Sequence, residues 1–239
     1  MTLEVIAQSV YDAHQARLGG ADRVELVSAI FLGGLTPSHG LVDEVCPLLP
    51  SAVMIRPRPG GFDYGEAEIG SMIRDIKFAA DCGAESVVFG VLTPSGELDL
   101  DRCRRLIESS PLPCVLHRAV DATTDPVRSF ESALEIGFTR VLSSGGASTA
   151  WEGRANLTKM GALQPNAVLA GGGLRPHTIR EFMAATGISH LHGTAFETVT
   201  DTSTQGAPHL RYGSEGSPPE SEVKRVSAGV VRAMRAAMS

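Results

Sequence analysis

Residues 66–91, EAEIGSMIRDIKFAADCGAESVVFGV, read as one helix, one stop and one strand. Ile69, Met72, Ile73, Ile76 and Ala80 recur at three- and four-residue spacing and so share one helical face. Gly83 stops the helix, because a residue without Cβ takes the left-handed backbone that ends one. The β-branched run at 86–91 then reads as a buried strand. The same unit recurs on both sides of it. Runs at 3–7, 23–27, 52–56, 114–119, 140–144 and 167–170 are each followed by a helix-like stretch, and a short polar run at 190–192 makes the eighth. Eight such units in 239 residues are what a closed (β/α)8 TIM-like barrel requires, here as a single α/β domain over 1–239.

The remaining helices follow from caps and stops. Ser9 caps a helix ended by Gly19-Gly20, and further helices are predicted at 40–49, 99–109, 150–163 and 176–186. Asp125 and Pro126 open a helix over 126–136, because proline suits the first helical position. A last helix, 220–238, is predicted to seal the ring against the first. Residues 198–219 break the pattern, being rich in Thr, Ser, Gly and Pro. So long a connection after the last strand is either a site-covering loop or a disordered segment.

Composition narrows the function. Apolar residues make up 43% of the chain, enough for a sizeable core, and the formal net charge is −6. No basic block interleaves with aromatics, which argues against a nucleic-acid partner. No apolar run reaches the roughly 18 residues of a membrane span, and MTLEVIAQS is not a secretory leader, so a cytoplasmic protein is expected. Cys46, Cys82, Cys103 and Cys114 are scattered, which suits free, buried thiols rather than disulfides.

Side chains alternate along a strand, and the outer face of a barrel strand must pack on helices. Charged strand residues therefore belong inside. That places Glu4, Glu25, Arg56, His117 and His192 in one interior cluster, with Arg58, Arg118 and Asp121 at strand ends. One reading is a buried salt-bridge network; the other is an acid/base or ligand site, since barrels carry their chemistry at the C-terminal strand ends. For Glu4, early in its strand, the structural reading is preferred. In the site reading His117 is the general acid/base and Glu25 or Asp121 its partner.

Glycines after strands 7 and 8 point to an anion. Gly171, Gly172, Gly173 and Gly193 let backbone N–H groups approach a phosphate closely, and Arg56 and Arg58 offer bidentate contacts. The alternative is that these glycines merely close tight loops. Metal spacing is sparse: His190 and His192 share a strand face, and His117 or Glu25 is a conceivable further ligand. Lys77, Lys159 and Lys224 are all predicted on helices, which disfavours a Schiff-base aldolase.

Five segments in order, Gly20-Ala21-Asp22-Arg23-Val24-Glu25-Leu26, Gly33-Gly34-Leu35-Thr36-Pro37-Ser38, Met54-Ile55-Arg56-Pro57-Arg58, Leu116-His117-Arg118-Ala119-Val120-Asp121 and Arg140-Val141-Leu142-Ser143-Ser144-Gly145, resemble the CutC copper homeostasis family, most clearly over 1–197. The resemblance implies a cytoplasmic TIM-like barrel, a homo-oligomer, a link to copper tolerance and binding of a copper ion. It does not carry over a cysteine found in some members just after the first strand's glutamate; here that stretch is Glu4-Val5-Ile6-Ala7-Gln8-Ser9. Three readings follow: a copper-handling protein whose ligands include His117, His192 or a cysteine, a barrel enzyme acting on a small phosphorylated or carboxylated metabolite, or a structural barrel with a degenerate site.

Overall fold

The structure is a computed structural model that describes residues 1–213 and 216–239. Eight parallel strands close into a ring in chain order: β1 (Thr2–Ala7), β2 (Arg23–Leu26), β3 (Ser51–Met54), β4 (Ser86–Phe89), β5 (Cys114–Leu116), β6 (Arg140–Ser143), β7 (Val168–Gly171) and β8 (His190–Gly193). Parallel strands covered on both faces must be apolar nearly throughout, which explains the continuous β-branched runs. Helices α1 (Val10–Gly19), α2 (His39–Val45), α3 (Glu66–Asp81), α4 (Leu100–Glu108), α5 (Pro126–Glu135), α6 (Arg154–Leu163), α7 (Pro176–Thr186) and α8 (Ala228–Ala237) form the outer layer. The main core lies between strands and helices. A smaller one fills the ring itself, where Ile6, Val27, Ala52, Met54, Val88 and Val115 pack together.

The local signals act as expected at several ends. Ser9 Oγ accepts from the Asp12 amide, and Asp125 accepts from the amides of Val127 and Arg128. Gly20, with φ of +86°, closes α1. Gly19 allows α1 and α8 to touch, for a Cβ there would lie 2.4 Å from Val231 Cβ.

Four expectations need correction. Helix α2 is shorter than 40–49, and 150–153 is a turn preceding α6 rather than its first residues. Strand β5 ends at Leu116, because the chain turns into a short 3₁₀ helix, Arg118–Ala122. The predicted helix over 220–238 is divided. Its first part is β10 (Glu222–Val226), paired antiparallel with β9 (Phe196–Thr200) outside the barrel. Lys224 therefore sits on this ribbon and not on a helix. The ribbon is pinned to the barrel by the Val226 amide, which donates to buried Asp12 Oδ1 at 2.8 Å. Within 198–219, residues 214 and 215 lie outside the described residues; Gly213, Ser217, Pro218 and Pro219 share a pocket with Gln8, Ile30 and Phe31 on the loops after β1 and β2, beside the mouth cavity that Ile30 also borders.

Candidate functional site

A cavity of about 230 Å³ opens at the C-terminal mouth of the barrel. Its wall includes Glu25, Arg56, Phe62, His117, Arg118 and His192, together with Gly172, Gly173, Gly193 and Thr194. The floor is apolar, with Ile6 and Met54 beneath the polar groups. Most of the expected site residues thus converge on one mouth.

Strand register builds one wall. Glu4 of β1 pairs in the sheet with Arg23 of β2 and with His192 of β8. Arg23 Nε lies 2.6 Å from Glu4 Oε2, and His192 Nδ1 lies 2.7 Å from Glu4 Oε1. The carboxylate thus orients the imidazole, leaving Nε2 directed toward Glu25 Oε2 at 3.8 Å. That separation exceeds a direct hydrogen bond but couples the charges, and it leaves room for a ligand atom or a water to bridge. Burial pushes the Glu25 carboxyl up to about 7, with the Glu4 charge adding to the rise and His192 opposing it. Burial works against the His192 imidazolium, but Glu25 and Glu4 together hold its pKa above the ordinary value. Burial would raise Glu4 too; Arg23 and His192 override it and keep that carboxyl low. Glu25 therefore titrates near neutrality beside an imidazole that its carboxylate neighbours hold toward the charged form, whereas Glu4 stays ionised and structural.

The opposite wall is cationic and donor-rich. Arg56 Nη1 donates to the carbonyls of Leu32 and Gly34, and Nη2 to that of Gly60. Arg56 has no carboxylate partner among the described residues, is 6% exposed, and its Nε is unpaired. It anchors a loop in which Ala29 takes the left-handed backbone, φ +47°, a strained conformation of the kind that clusters at functional sites. His117 is fixed differently. The Ala119 amide donates to His117 Nδ1 at 3.2 Å, so in the neutral ring the proton resides on Nε2. That Nε2 is buried and has no partner among the described residues. Burial and the nearby Arg56 charge press the His117 pKa down to about 3. Phe62, 4.8 Å away between centroids, and Gly90, where a Cβ would lie 2.9 Å from Nδ1, pack against the ring.

Several expected roles change. His117 is neutral and presents a donor, so it suits neither a general base nor a metal ligand in this arrangement. Asp121 does not partner it. It accepts instead from Ser143 Oγ, the amides of Ser144 and Gly146, and Arg118 Nε, which organises the loop after β6. Arg58 leaves the mouth to pair with Glu68 and the Asp63 carbonyl. Gly171 lies below the cavity, while Gly172 and Gly173 line it with φ of +110° and +76°. His190 bonds Thr2 Oγ1 and lines no part of the cavity. Phe62 and Gly90 escaped sequence reading, because neither sits in a pattern that distinguishes it from packing.

Ligands for a metal are few among the described residues. Glu4, Glu25 and His192 offer three ligand atoms within 4.8 Å of one another. Arg23 already occupies Glu4, and His117 is not in the group. Cys46, Cys82, Cys103 and Cys114 are free, and none of them lines the cavity. Burial pushes the Cys103 thiol up to about 12 and those of Cys46 and Cys114 to about 11. A thiolate cage of the kind that suits Cu(I) does not fit this chain.

With this geometry in place, known proteins can be compared. Residues 1–197 match the CutC family. The chain belongs to that family. This CutC chain is 37% identical over 230 residues to a CutC family protein from Treponema denticola, covering 93% of this chain and 92% of the relative. It is 39% identical over 201 residues to the human protein named copper homeostasis protein cutC homolog, covering 82% of this chain and 74% of that one. The crystal structure of CutC from Streptococcus agalactiae superposes with a TM-score of 0.76 at 29% identity, over 81% of this chain and 98% of the other. Phosphoribosyl anthranilate isomerase from Thermococcus kodakaraensis superposes at 0.60 with 12% identity, over 99% and 97% of the two chains, a likeness of fold alone. No described helix of this CutC chain is long and apolar enough to cross a membrane.

Proposed function

We propose that this chain serves the copper-homeostasis role its family is named for through the mouth cavity, and that the cavity's ligand is a small phosphorylated or carboxylated metabolite. One observation carries the reading: buried Arg56, without a carboxylate partner, faces the same space as the glycine turns after β7 and β8. A buried guanidinium held only by backbone carbonyls still lacks a counter-charge, which an anion would supply. The loops after strands 7 and 8 are where barrels commonly hold phosphate. Glu25, which titrates near neutrality, supplies an acid/base group beside the bound anion. The protein is read as a cytoplasmic homo-oligomer.

A second reading, direct binding of a copper ion, rests on the Glu4, Glu25 and His192 group. Two carboxylates and an imidazole suit Cu(II) better than Cu(I).

One titration separates the two. Phosphoglycolate added to the 15N-labelled protein is expected to shift the amide resonances of Gly172, Gly173, Gly193 and Thr194. Silence there, with Cu(II) instead perturbing Glu25 and His192, would replace the anion by the metal.

A further inference from the structure

We propose that the cavity is built to enolise a small carbonyl compound carrying an anionic group, with Glu25 as the base and His117 Nε2–H as the donor to the carbonyl oxygen. The inference rests on the anion pocket above and adds a reaction to it.

Two unpartnered polar atoms carry the argument. Glu25 Oε1 and His117 Nε2 are both buried without a hydrogen bond among the described residues, and both residues line one cavity while being 3% and 4% exposed. Native proteins seldom leave such atoms unsatisfied without a ligand to complete them. Their chemistry is complementary. Glu25 offers an acceptor on the wall shared with His192. His117 can only donate from Nε2 while the Ala119 amide holds Nδ1. A neutral imidazole suits a developing enolate, because its Nε2–H hydrogen-bonds the oxyanion without surrendering the proton, as the far more acidic imidazolium would. The suppressed basicity of His117 keeps it in that form across the working pH range.

The step balances within the site. The Glu25 carboxylate takes the proton from the carbon beside the carbonyl. The electrons of that C–H bond form a C=C bond, and the carbonyl π pair moves onto oxygen. There the charge is met by a hydrogen bond from His117, which keeps its proton. The Glu25 carboxyl exchanges that proton for a deuteron from D2O and returns the deuteron to carbon as the C=C pair forms a C–D bond, so hydrogen is replaced by deuterium without net reaction. Arg56 and the Gly172–Gly173 turn hold the anionic end, and His192, oriented by Glu4, lies beside the base.

The probes are dihydroxyacetone phosphate and pyruvate in D2O, followed by the loss of their C–H proton signals. The intact protein is expected to exchange one of them, which also distinguishes a phosphate from a carboxylate handle. Glu25→Gln is expected to abolish exchange. His117→Leu is expected to slow it by about 100-fold, the usual loss for one oxyanion donor, and His117→Gln to recover part of the loss. A 15N measurement on the unmodified protein supplies a readout that no substitution can confound: His117 is expected as the neutral Nε2–H tautomer from pH 5 to 8. An imidazolium at pH 6, or phosphoglycolate binding without exchange of either probe, overturns the enolisation while leaving the anion pocket standing. No binding of phosphoglycolate removes both.

Discussion

The proton inventory of the mouth makes a stability prediction with two opposite slopes. Folding raises the Glu25 pKa from 4.5 to about 7. Between those values the folded protein holds a proton that the unfolded chain has released, so Glu25 makes stability fall as pH rises. Folding lowers the His117 pKa from 6.5 to about 3. Between those values the unfolded chain holds the extra proton, so His117 makes stability rise with pH. Each fully displaced proton changes the unfolding free energy by about 1.4 kcal/mol per pH unit. From pH 5 to 6 both groups are in their windows, and in the unmodified protein they cancel. Glu25→Gln removes one slope, and the variant is expected to gain about 1 kcal/mol relative to wild type between pH 5 and 6. His117→Gln is expected to lose about the same amount over the same interval. Because each variant is compared with wild type at each pH, the many surface carboxylates drop out. Urea denaturation at pH 5.0, 5.5 and 6.0 measures the effect. Three parallel lines would refute the argument, for they would mean that neither group changes its proton affinity on folding.

Other expectations concern the supports of the site. Gly90→Ala would place its Cβ 2.6 Å from Leu116 Cδ1 and 2.9 Å from the His117 ring. It is expected to cost about 1–3 kcal/mol and to weaken phosphoglycolate binding, read by thermal melting and calorimetry. Asp121→Ala leaves the Ser144 and Gly146 amides and Arg118 without their acceptor. A loss of about 1–3 kcal/mol is expected in urea denaturation, the cost of leaving partly buried donors without their acceptor. Replacing Cys46, Cys82, Cys103 and Cys114 by serine is expected to leave copper affinity within about twofold in a competition titration, since no thiol reaches the cavity.

The barrel was legible because its signals are local and repeated. Seven of the eight strands fall in short β-branched runs, and helices such as α1 and α5 carry their own caps in Ser9, Asp125 and Pro126. The convergence of Glu25, Arg56, His117 and His192 was legible for the same reason: a charge in a strand clothed by helices has only the interior to occupy. What escaped depends on partners distant in sequence. Asp121 serves the loop after β6 because Ser143, Ser144 and Gly146 present donors to it, which spacing cannot reveal. Arg58 turns away because Glu68, on the next helix, captures it. The role of His117 hinges on a single amide, that of Ala119, which exists only because the chain breaks from β5 into a 3₁₀ turn. The ribbon of β9 and β10 was hidden because its residues are mostly exposed and lack an apolar side to betray a strand.

The family match stops at residue 197, yet the eighth place in the outer layer is filled by α8, whose Val231 and Met234 are wholly buried. Val231 seats against Gly19, more than two hundred positions earlier. During synthesis the eight strands leave the ribosome well before the helix that covers the seam between first and last. Until residue 237 has emerged, that seam stays uncovered, and the apolar flanks of α1 and α7 that α8 buries stay open to water.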